Sequence, residues 1–280
     1  MNLTQTITSL RALSVGDAFG ENQLKILPQQ YRSAWPWTDD TAMAIGIVRC
    51  LIRNGTINQD DLMREFSENY LKDPHRGYGR GTVTLCNVYV YDKDWALSSR
   101  ASFNGNGSYG NGAAMRSSPI GLFFDDYATI ANEARKSAEV THWNDEAIAG
   151  AIAVAIAARA ALDEPQSFWK RVLEFTPNSE VKTELTHASV ICHGTVEEVA
   201  GRFGCGSKVT ALDTVPYALW CAYQGLQTKD FAATLTEACK VGGDTDTYCA
   251  MIGGILGNVL SIPKQWIDRT EILPDEWNLV

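Results

Sequence analysis

Most apolar residues in this chain recur at helical spacing. Between residues 39 and 53, DDTAMAIGIVRCLIR places Met43, Ile47 and Leu51 four residues apart, which aligns them on one face of a helix. Residues 58–71 start at Asn58 and carry acidic residues in the first turn, as helix starts prefer. The same spacing predicts helices over 126–140, 145–162, 196–203, 211–223, 229–239 and 246–260.

Strand-like alternation of apolar and polar residues is rare. The stretch TVTLCNVYVYD, from Thr82 to Asp92, fits either a strand or a helix. No proline-rich linker, charge run or repeat of fixed period divides the chain. The pattern predicts one all-α domain over residues 1–280, with about ten or more helices.

Composition limits the classes of partner. The 280 residues are 45% hydrophobic and 20% charged, a balance typical of a globular protein with a sizeable core. The formal net charge of −9 would repel a nucleic-acid backbone or an anionic membrane, so neither is expected as the main partner. The chain shows no signal-peptide pattern and no apolar run of the roughly 20 residues that span a membrane. We expect a cytoplasmic protein whose seven scattered cysteines are reduced and mostly buried.

Glycines cluster in short segments rather than spreading evenly. The clusters are RGYGRG (76–81), NGNGSYGNG (104–112), the segment 201–206, and the pair Gly242 and Gly243. Glycine lets backbone amides approach a ligand closely because it has no side chain in the way. These segments are therefore candidate ligand-binding loops.

Two predicted helices begin with paired aspartates. WPWTDDTAMAIG contains Asp39 and Asp40, and GGDTDTYCAMIGGILGN contains Asp244 and Asp246. Aspartate and threonine at a helix start can cap the free amides of the first turn. If the fold brings both starts together, the four carboxylates would repel one another, and divalent cations such as magnesium, calcium or manganese would relieve that repulsion. The spacing leaves capping and metal binding open.

Six motifs follow one another along the chain: GDAFG (16–20), WTDDTAMA (37–44), RGYGRGT (76–82), SYGNGAAMR (108–116), Thr141-His142 before an alanine-rich helix, and GGDTDT (242–247). In this order they resemble the ADP-ribosylglycohydrolase family. The resemblance spans nearly the whole chain and implies a single compact, orthogonal multi-helix bundle.

The resemblance also implies a set of site residues. Two Mg²⁺ or Mn²⁺ ions would be held by Thr38, Asp39, Asp40, Asp244, Asp246 and Thr247. The diphosphate and ribose of ADP-ribose would be bound by Ser108, Tyr109, Gly110, Asn111 and Gly112. His142 matches a family histidine near the nucleotide, although a lone histidine before such a helix is also a common structural residue.

One position departs from the family pattern. Many members carry a glutamate a few residues beyond GDxxG, and that register falls on Leu24 here, whereas Glu21 follows Gly20 directly. Glu21 is therefore a third catalytic candidate beside Asp40 and Asp246, which are the candidates for the general base.

The implied reaction is metal-dependent hydrolysis of the glycosidic bond that links ADP-ribose to a modified target. Arginine on a protein is the leading expectation, from the forms of WTDDTAMA and SYGNGAAMR. Serine conjugates, O-acetyl-ADP-ribose, and nucleic-acid or small-molecule conjugates remain open, as does a binuclear-metal phosphohydrolase. A non-catalytic relative would lack ligands, whereas both aspartate pairs are intact here. We expect a monomer that takes an ADP-ribosylated protein or small-molecule conjugate as its partner.

Overall fold

The fold is built from α-helices. The structure is a computed structural model that describes residues 1–23, 34–91 and 94–274, and these residues form fifteen helices and no strand. The helices are α1 Leu3–Gln23, α2 Asp39–Asn54, α3 Gln59–Lys72, α4 Arg80–Tyr91, α5 Trp95–Gly105, α6 Ser118–Phe123, α7 Tyr127–Glu139, α8 Asp145–Asp163, α9 Phe168–Phe175, α10 Glu180–Ser189, α11 Val196–Phe203, α12 Ala211–Thr228, α13 Phe231–Ala238, α14 Thr245–Leu256 and α15 Lys264–Ile267.

The helices predicted from periodicity are confirmed, with ends that differ by a few residues. The ambiguous stretch from Thr82 belongs to helix α4, whose buried side chains include Leu85 and Cys86. Helix α1 has no counterpart among the predicted segments. Its buried residues lie on all sides, so it lacks the one-sided stripe that reveals a surface helix.

The alanine-rich helix α8 lies at the centre of the bundle. It packs against α6, α7, α9, α12 and α14, and its residues from Ala147 to Ala158 are all buried. Small side chains let five neighbours approach one axis, which explains why this segment is rich in alanine.

Helices α1 and α14 touch backbone to backbone. A Cβ on Gly16 would overlap the carbonyl group of Cys249, and one on Gly20 would overlap the carbonyl group of Thr245. The GDAFG motif therefore serves first as a packing surface. This contact holds the start of α14 beside the carboxy-terminal end of α1, although the two are more than two hundred residues apart in sequence.

Two further expectations concern cysteines and membranes. All seven cysteines are free, and Cys50, Cys86, Cys221 and Cys249 are buried, as predicted. Over the residues that the structure describes, no helix has both the length and the apolar character to cross a membrane.

Candidate active site

A cavity of about 360 Å³ opens where the starts of α2, α4 and α14 face the glycine-rich segment before α6. Asp39 comes from α2, Arg80 from α4, and Asp246 from α14. Three helices thus direct their amino-terminal ends at one space. Helix dipoles are positive at that end, so the geometry favours anionic groups in the cavity.

Asp17, in the middle of α1, caps the start of α2 from outside that helix. Its carboxylate accepts hydrogen bonds from the backbone amides of Thr38 and Thr41, each at 3.0 Å, and from both threonine hydroxyl groups. The Thr38 hydroxyl in turn accepts from the Asp40 amide at 3.4 Å. The free amides of α2 are therefore satisfied without the side chains of Asp39 and Asp40.

The carboxylates around this helix start repel one another. Burial, followed by the charge of Asp17, raises the pKa of Asp39 to about 7 and that of Asp40 well above its usual value. Asp244 and Asp246 add to the repulsion of Asp40. Among the described residues, no cationic side chain forms an ion pair with Asp39 or Asp40. The charge of the buried Arg116 lowers the pKa of Asp39 in part, but the net shift is upward, so the local structure concentrates negative charge that it only partly offsets.

The start of α14 shows the same lack of neutralisation. Asp244 occupies the N-cap position, yet its side chain makes no cap hydrogen bond. Its Oδ2 instead accepts a hydrogen bond of 2.6 Å from Asn111 Nδ2, which also lies 3.1 Å from Thr214 Oγ1. Burial and the charge of Asp244 raise the pKa of Asp246 to about 8. Capping therefore does not explain this aspartate pair either.

The donor set fits hard divalent cations. Asp40 Oδ1 is buried and has no hydrogen-bond partner, and an orphaned carboxylate oxygen of this kind is costly unless a ligand completes it. Carboxylate and hydroxyl oxygens are the ligands that magnesium and manganese prefer. Over the residues described, no group of three His, Cys, Asp or Glu side chains stands in an arrangement that would hold a metal ion.

The opposite wall of the cavity is a strained pair of loops. Phe103, Asn104 and Val209 have positive φ values of 53°, 59° and 55°, which are unfavourable for residues with side chains and most of all for the β-branched valine. Backbone hydrogen bonds hold the loops together, from Asn111 N to Val209 O at 3.3 Å and from Ala211 N to Tyr109 O at 3.1 Å. The strained conformation of Val209 is thus fixed in place beside the cavity.

Exposed aromatic rings stand at the rim of that wall. The rings of Phe103 and Tyr109 lie 5.0 Å apart at 53°, and the two residues are 50% and 44% exposed. Lys208 borders the same part of the cavity. Two open aromatic faces with a nearby cation suit a flat, electron-rich ring attached to phosphate.

His142 lines the same cavity as the aromatic rim and the carboxylates. Its Nδ1 is 2.7 Å from Thr141 Oγ1, and its ring packs against Gly110 and Gly112, where a Cβ would come within 3.1 Å of Nε2. Burial and the charge of Arg116 lower the pKa of His142 to about 3. The imidazole is therefore neutral at physiological pH.

Comparison with known proteins identifies this arrangement. The sequence model of the ADP-ribosylglycohydrolase family matches residues 5–278. The chain belongs to the ADP-ribosylglycohydrolase family.

Individual relatives agree with this assignment. The chain is 32% identical to human ADP-ribosylhydrolase ARH3 over 276 residues, which cover 84% of this chain and 74% of ARH3. It is 29% identical to an uncharacterised protein of Archaeoglobus fulgidus over 279 residues, covering 91% of this chain and 88% of that protein. A solved structure described as an ADP-ribosylglycohydrolase-related protein complex superposes with a TM-score of 0.67 at 22% identity, over 96% of this chain and 93% of the other. That superposition supports the all-α fold of the family.

Most residues that sequence comparison with the ADP-ribosylglycohydrolase family predicted for the site lie around the one cavity. Those lining it are Asp39, Ser108, Tyr109, Gly110, Asn111, Gly112, His142, Asp244, Asp246 and Thr247. Thr38 and Asp40 are buried next to Asp17 and lie outside the lining.

Glu21 occupies a different position. It lies on α1 directly after Gly20, is half-buried, and is not among the described residues that line the cavity. Leu24, at the register of the glutamate found in many ADP-ribosylglycohydrolases, lies outside the described residues.

Four further residues of the site were not identified from the sequence. Asp17 and Arg80 lie inside the quoted motifs. Asp17 could have been noticed because it is an aspartate in the glycine-flanked segment GDAFG. Phe103 and Lys208 carry no local signal, because their positions depend on a kink at residues 102–104 and on the turn before Val209.

Proposed function

We propose that this chain hydrolyses the bond at the anomeric carbon of the distal ribose in ADP-ribose conjugates, releasing ADP-ribose. The proposal rests on one observation. Aspartates that capping does not explain line a cavity that is also lined by a glycine-rich loop and an open aromatic pair. A ribose, a diphosphate and an adenine base would occupy these parts in the order in which ADP-ribose connects them.

Family membership supports the reaction class, since the curated relatives include proteins named ADP-ribosylhydrolase. Two divalent cations fit the proposal. Thr38, Asp39 and Asp40 would provide one set of metal ligands. Asp244, Asp246 and Thr247 would provide the other set. Such ions, when bound, act as Lewis acids and lower the pKa of water to near neutrality.

The protein's own groups have separate tasks in this proposal. Asp246, which lines the cavity, is the first candidate to accept the proton of the attacking water, and Asp40, which is buried outside the lining, is the second. The surrounding carboxylates stabilise the positive charge that develops on the ribose ring in an oxocarbenium-like transition state. Asn111 fixes the orientation of Asp244 by its 2.6 Å hydrogen bond. Glu21 stays an untested candidate for the proton transfer.

Arg80 bears on the identity of the leaving group. The loop that precedes it is tied to the catalytic end, because Arg76 O accepts a hydrogen bond of 2.8 Å from the Asp39 amide. Gly79 and Gly81 on either side have no atom within 4 Å of an added Cβ, so Arg80 projects beside open space. Over the described residues it forms no ion pair.

A second cation would be unfavourable beside this unpaired guanidinium group. We therefore propose that the preferred substrates are neutral, oxygen-linked conjugates such as ADP-ribosylserine and O-acetyl-ADP-ribose. The arginine conjugate, which the motifs WTDDTAMA and SYGNGAAMR favoured, comes second.

A panel of defined conjugates tests the function. Serine-linked and arginine-linked ADP-ribosyl peptides and O-acetyl-ADP-ribose are incubated with Mg²⁺, Mn²⁺ or EDTA, and free ADP-ribose is quantified by chromatography. We expect release from the serine conjugate with either cation and none with EDTA. Formation of AMP from ADP-ribose, with every conjugate intact, would instead indicate a phosphohydrolase and contradict the proposal.

The leaving-group preference has its own variant. Arg80→Ala should raise the arginine-to-serine ratio of kcat/KM about threefold, the size expected for one exposed charge. Arg202, an exposed arginine on α11 away from the cavity, provides the matched control Arg202→Ala, for which the ratio should not change. An unchanged ratio in Arg80→Ala would remove the argument for oxygen-linked substrates.

A further inference from the structure

Arg116 is a buried cation that attracts Asp39 at longer range but has no carboxylate within ion-pair distance among the described residues. It ends the SYGNGAAMR motif, is fully buried, and forms no ion pair within the described part of the chain. Its guanidinium lies 4.4 Å from the ring centre of Phe66 and donates hydrogen bonds to Ser137 O at 3.0 Å and Thr141 Oγ1 at 2.8 Å. Burying an unpaired charge is costly, so the contacts of this arginine call for an explanation beyond packing.

The Thr141 hydroxyl group links Arg116 to His142. Thr141 Oγ1 accepts the Arg116 hydrogen bond, and it lies 2.7 Å from His142 Nδ1. A guanidinium group only donates, whereas a hydroxyl group has one proton to give. Among the described atoms, His142 Nδ1 is the one acceptor within reach of that proton. Thr141 therefore donates to Nδ1, which leaves the imidazole proton on Nε2.

Nε2 is the ring atom that remains available to a ligand. It makes no hydrogen bond within the residues described, and His142 lines the cavity. Nε2 also lies beside Gly110 and Gly112, the segment whose amides form the candidate anion site. An N–H group there adds a donor to that anion site, whereas the other tautomer would present a lone pair to the anion and repel it.

We propose that Arg116 and Thr141 are positioning residues that hold His142 as the neutral Nε2–H tautomer, so that the ring donates a hydrogen bond to a phosphate oxygen of the ligand. The identity of that ligand as ADP-ribose rests on the proposed function. The tautomer does not, because it is a property of the protein alone.

Nuclear magnetic resonance can read the tautomer directly. The chain has only four histidines, so long-range proton–nitrogen correlation of histidine-labelled protein gives four resolvable ring systems. His142 should show a protonated Nε2 and an unprotonated Nδ1 between pH 6 and pH 8. A protonated Nδ1, or an imidazolium with both nitrogens protonated, in the unmodified protein overturns the proposal.

Two substitutions of Thr141 distinguish the hydrogen-bond relay from Arg116 through Thr141 to His142 from an effect of packing. Thr141→Val keeps the shape of the side chain and removes the hydroxyl group, whereas Thr141→Ser keeps the hydroxyl group. We expect Thr141→Val to populate the Nδ1–H tautomer and to weaken ADP-ribose binding about tenfold, since a hydrogen bond to a charged oxygen is lost. Thr141→Ser should retain the tautomer and most of the affinity.

A matched control uses a buried threonine outside the relay. Thr176 is 1% exposed and donates to Val172 O at 2.6 Å, so Thr176→Val has a similar packing change without touching His142. The control should leave both the tautomer and the affinity for ADP-ribose unchanged. An Nε2–H tautomer that persists in folded Thr141→Val refutes the relay. If Thr141→Val does not fold, Arg116→Lys provides the second test, with the same spectrum as readout.

The outcomes separate this proposal from the proposed function. The expected tautomer with no ADP-ribose binding by titration calorimetry would leave the relay in place and contradict the function. Binding and hydrolysis of ADP-ribose conjugates by a protein whose His142 carries its proton on Nδ1 would support the proposed function and contradict the relay.

Discussion

Two helix starts in this protein look alike in sequence and differ in chemistry. Helix α2 follows Thr38 with Asp39 and Asp40, and helix α3 follows Asn58 with Asp60 and Asp61. In both, the residue before the helix caps it with its own side chain. Capping is therefore common to the two sites, and the difference arises from what surrounds the aspartates.

Both α3 aspartates have partners within the protein, and those of Asp61 are cations. Asp60 accepts a hydrogen bond of 2.8 Å from Trp95 Nε1. Asp61 pairs with Arg53 and Arg64; although burial alone would raise the pKa of Asp61, these hydrogen bonds lower it. The α3 pair thus has partners within the protein, whereas the α2 pair lies among other carboxylates, where we propose that divalent cations bind.

The largest expected effect comes from breaking the α14 half of the unneutralised cluster. Asp244→Asn with Asp246→Asn should reduce ADP-ribose release by roughly 100- to 1,000-fold, because the site loses charges placed to stabilise the transition state. It should also abolish any rise in melting temperature on adding Mg²⁺ or Mn²⁺, measured by calorimetry. Asp60→Asn with Asp61→Asn on α3 is the control and should retain activity. Activity retained in the α14 variant would contradict the two-metal proposal.

A second test displaces the cluster without changing a charge. Gly20→Ala inserts a methyl group where α1 meets the backbone of Thr245 and Asp246, and it should destabilise the fold by about 2 kcal/mol, the range for overpacking. Chemical unfolding measures the change. Gly201→Ala is the control, since nothing lies within 4 Å of its added Cβ and alanine favours an exposed helix by roughly 0.5–1 kcal/mol. Equal effects of the two substitutions would show that the α1–α14 contact does not constrain the site.

Removing one charge from each helix start should change stability in opposite directions. In EDTA, Asp40→Asn relieves repulsion and should stabilise the protein by about 1 kcal/mol, whereas Asp61→Asn breaks a partly exposed ion pair and should destabilise it by less than about 1 kcal/mol. Thermal unfolding compares the two variants. The same sign for both would mean that the two acidic pairs have equivalent surroundings.

The smallest expected effect is the pH dependence of the α3 pair. The pKa of Asp61 lies below 3.8 in the folded state, so its contribution is fully present above that value and is lost as the pH falls through the folded pKa. The stability difference between the unmodified protein and Asp61→Asn should therefore shrink as the pH is lowered from about 6 towards 3. Denaturant unfolding at several pH values provides the measurement, and a constant difference would contradict the ion-pair account.

Sequence patterns predicted most of the helices but few of the contacts between side chains of the candidate site. Helices with a one-sided apolar stripe, such as α7 and α11, were predictable because the stripe is local. Helix α1 was not, because it is buried on several sides. The choice between capping and ligand binding at Asp39 and Asp40 stayed open because the decisive residue, Asp17, comes from another helix.

The sequence by itself determined the helical content and the family. Helix formation depends on residues a few positions apart in the sequence. The order of the six motifs can likewise be read from the sequence alone. Tertiary structure alone decided which aspartates lack cations in ion-pair contact, which loop residues reach the cavity, and which groups surround the two nitrogens of His142. These properties depend on charges and hydrogen-bond partners from distant segments, and at distances of a few ångströms such partners control the state of a buried group.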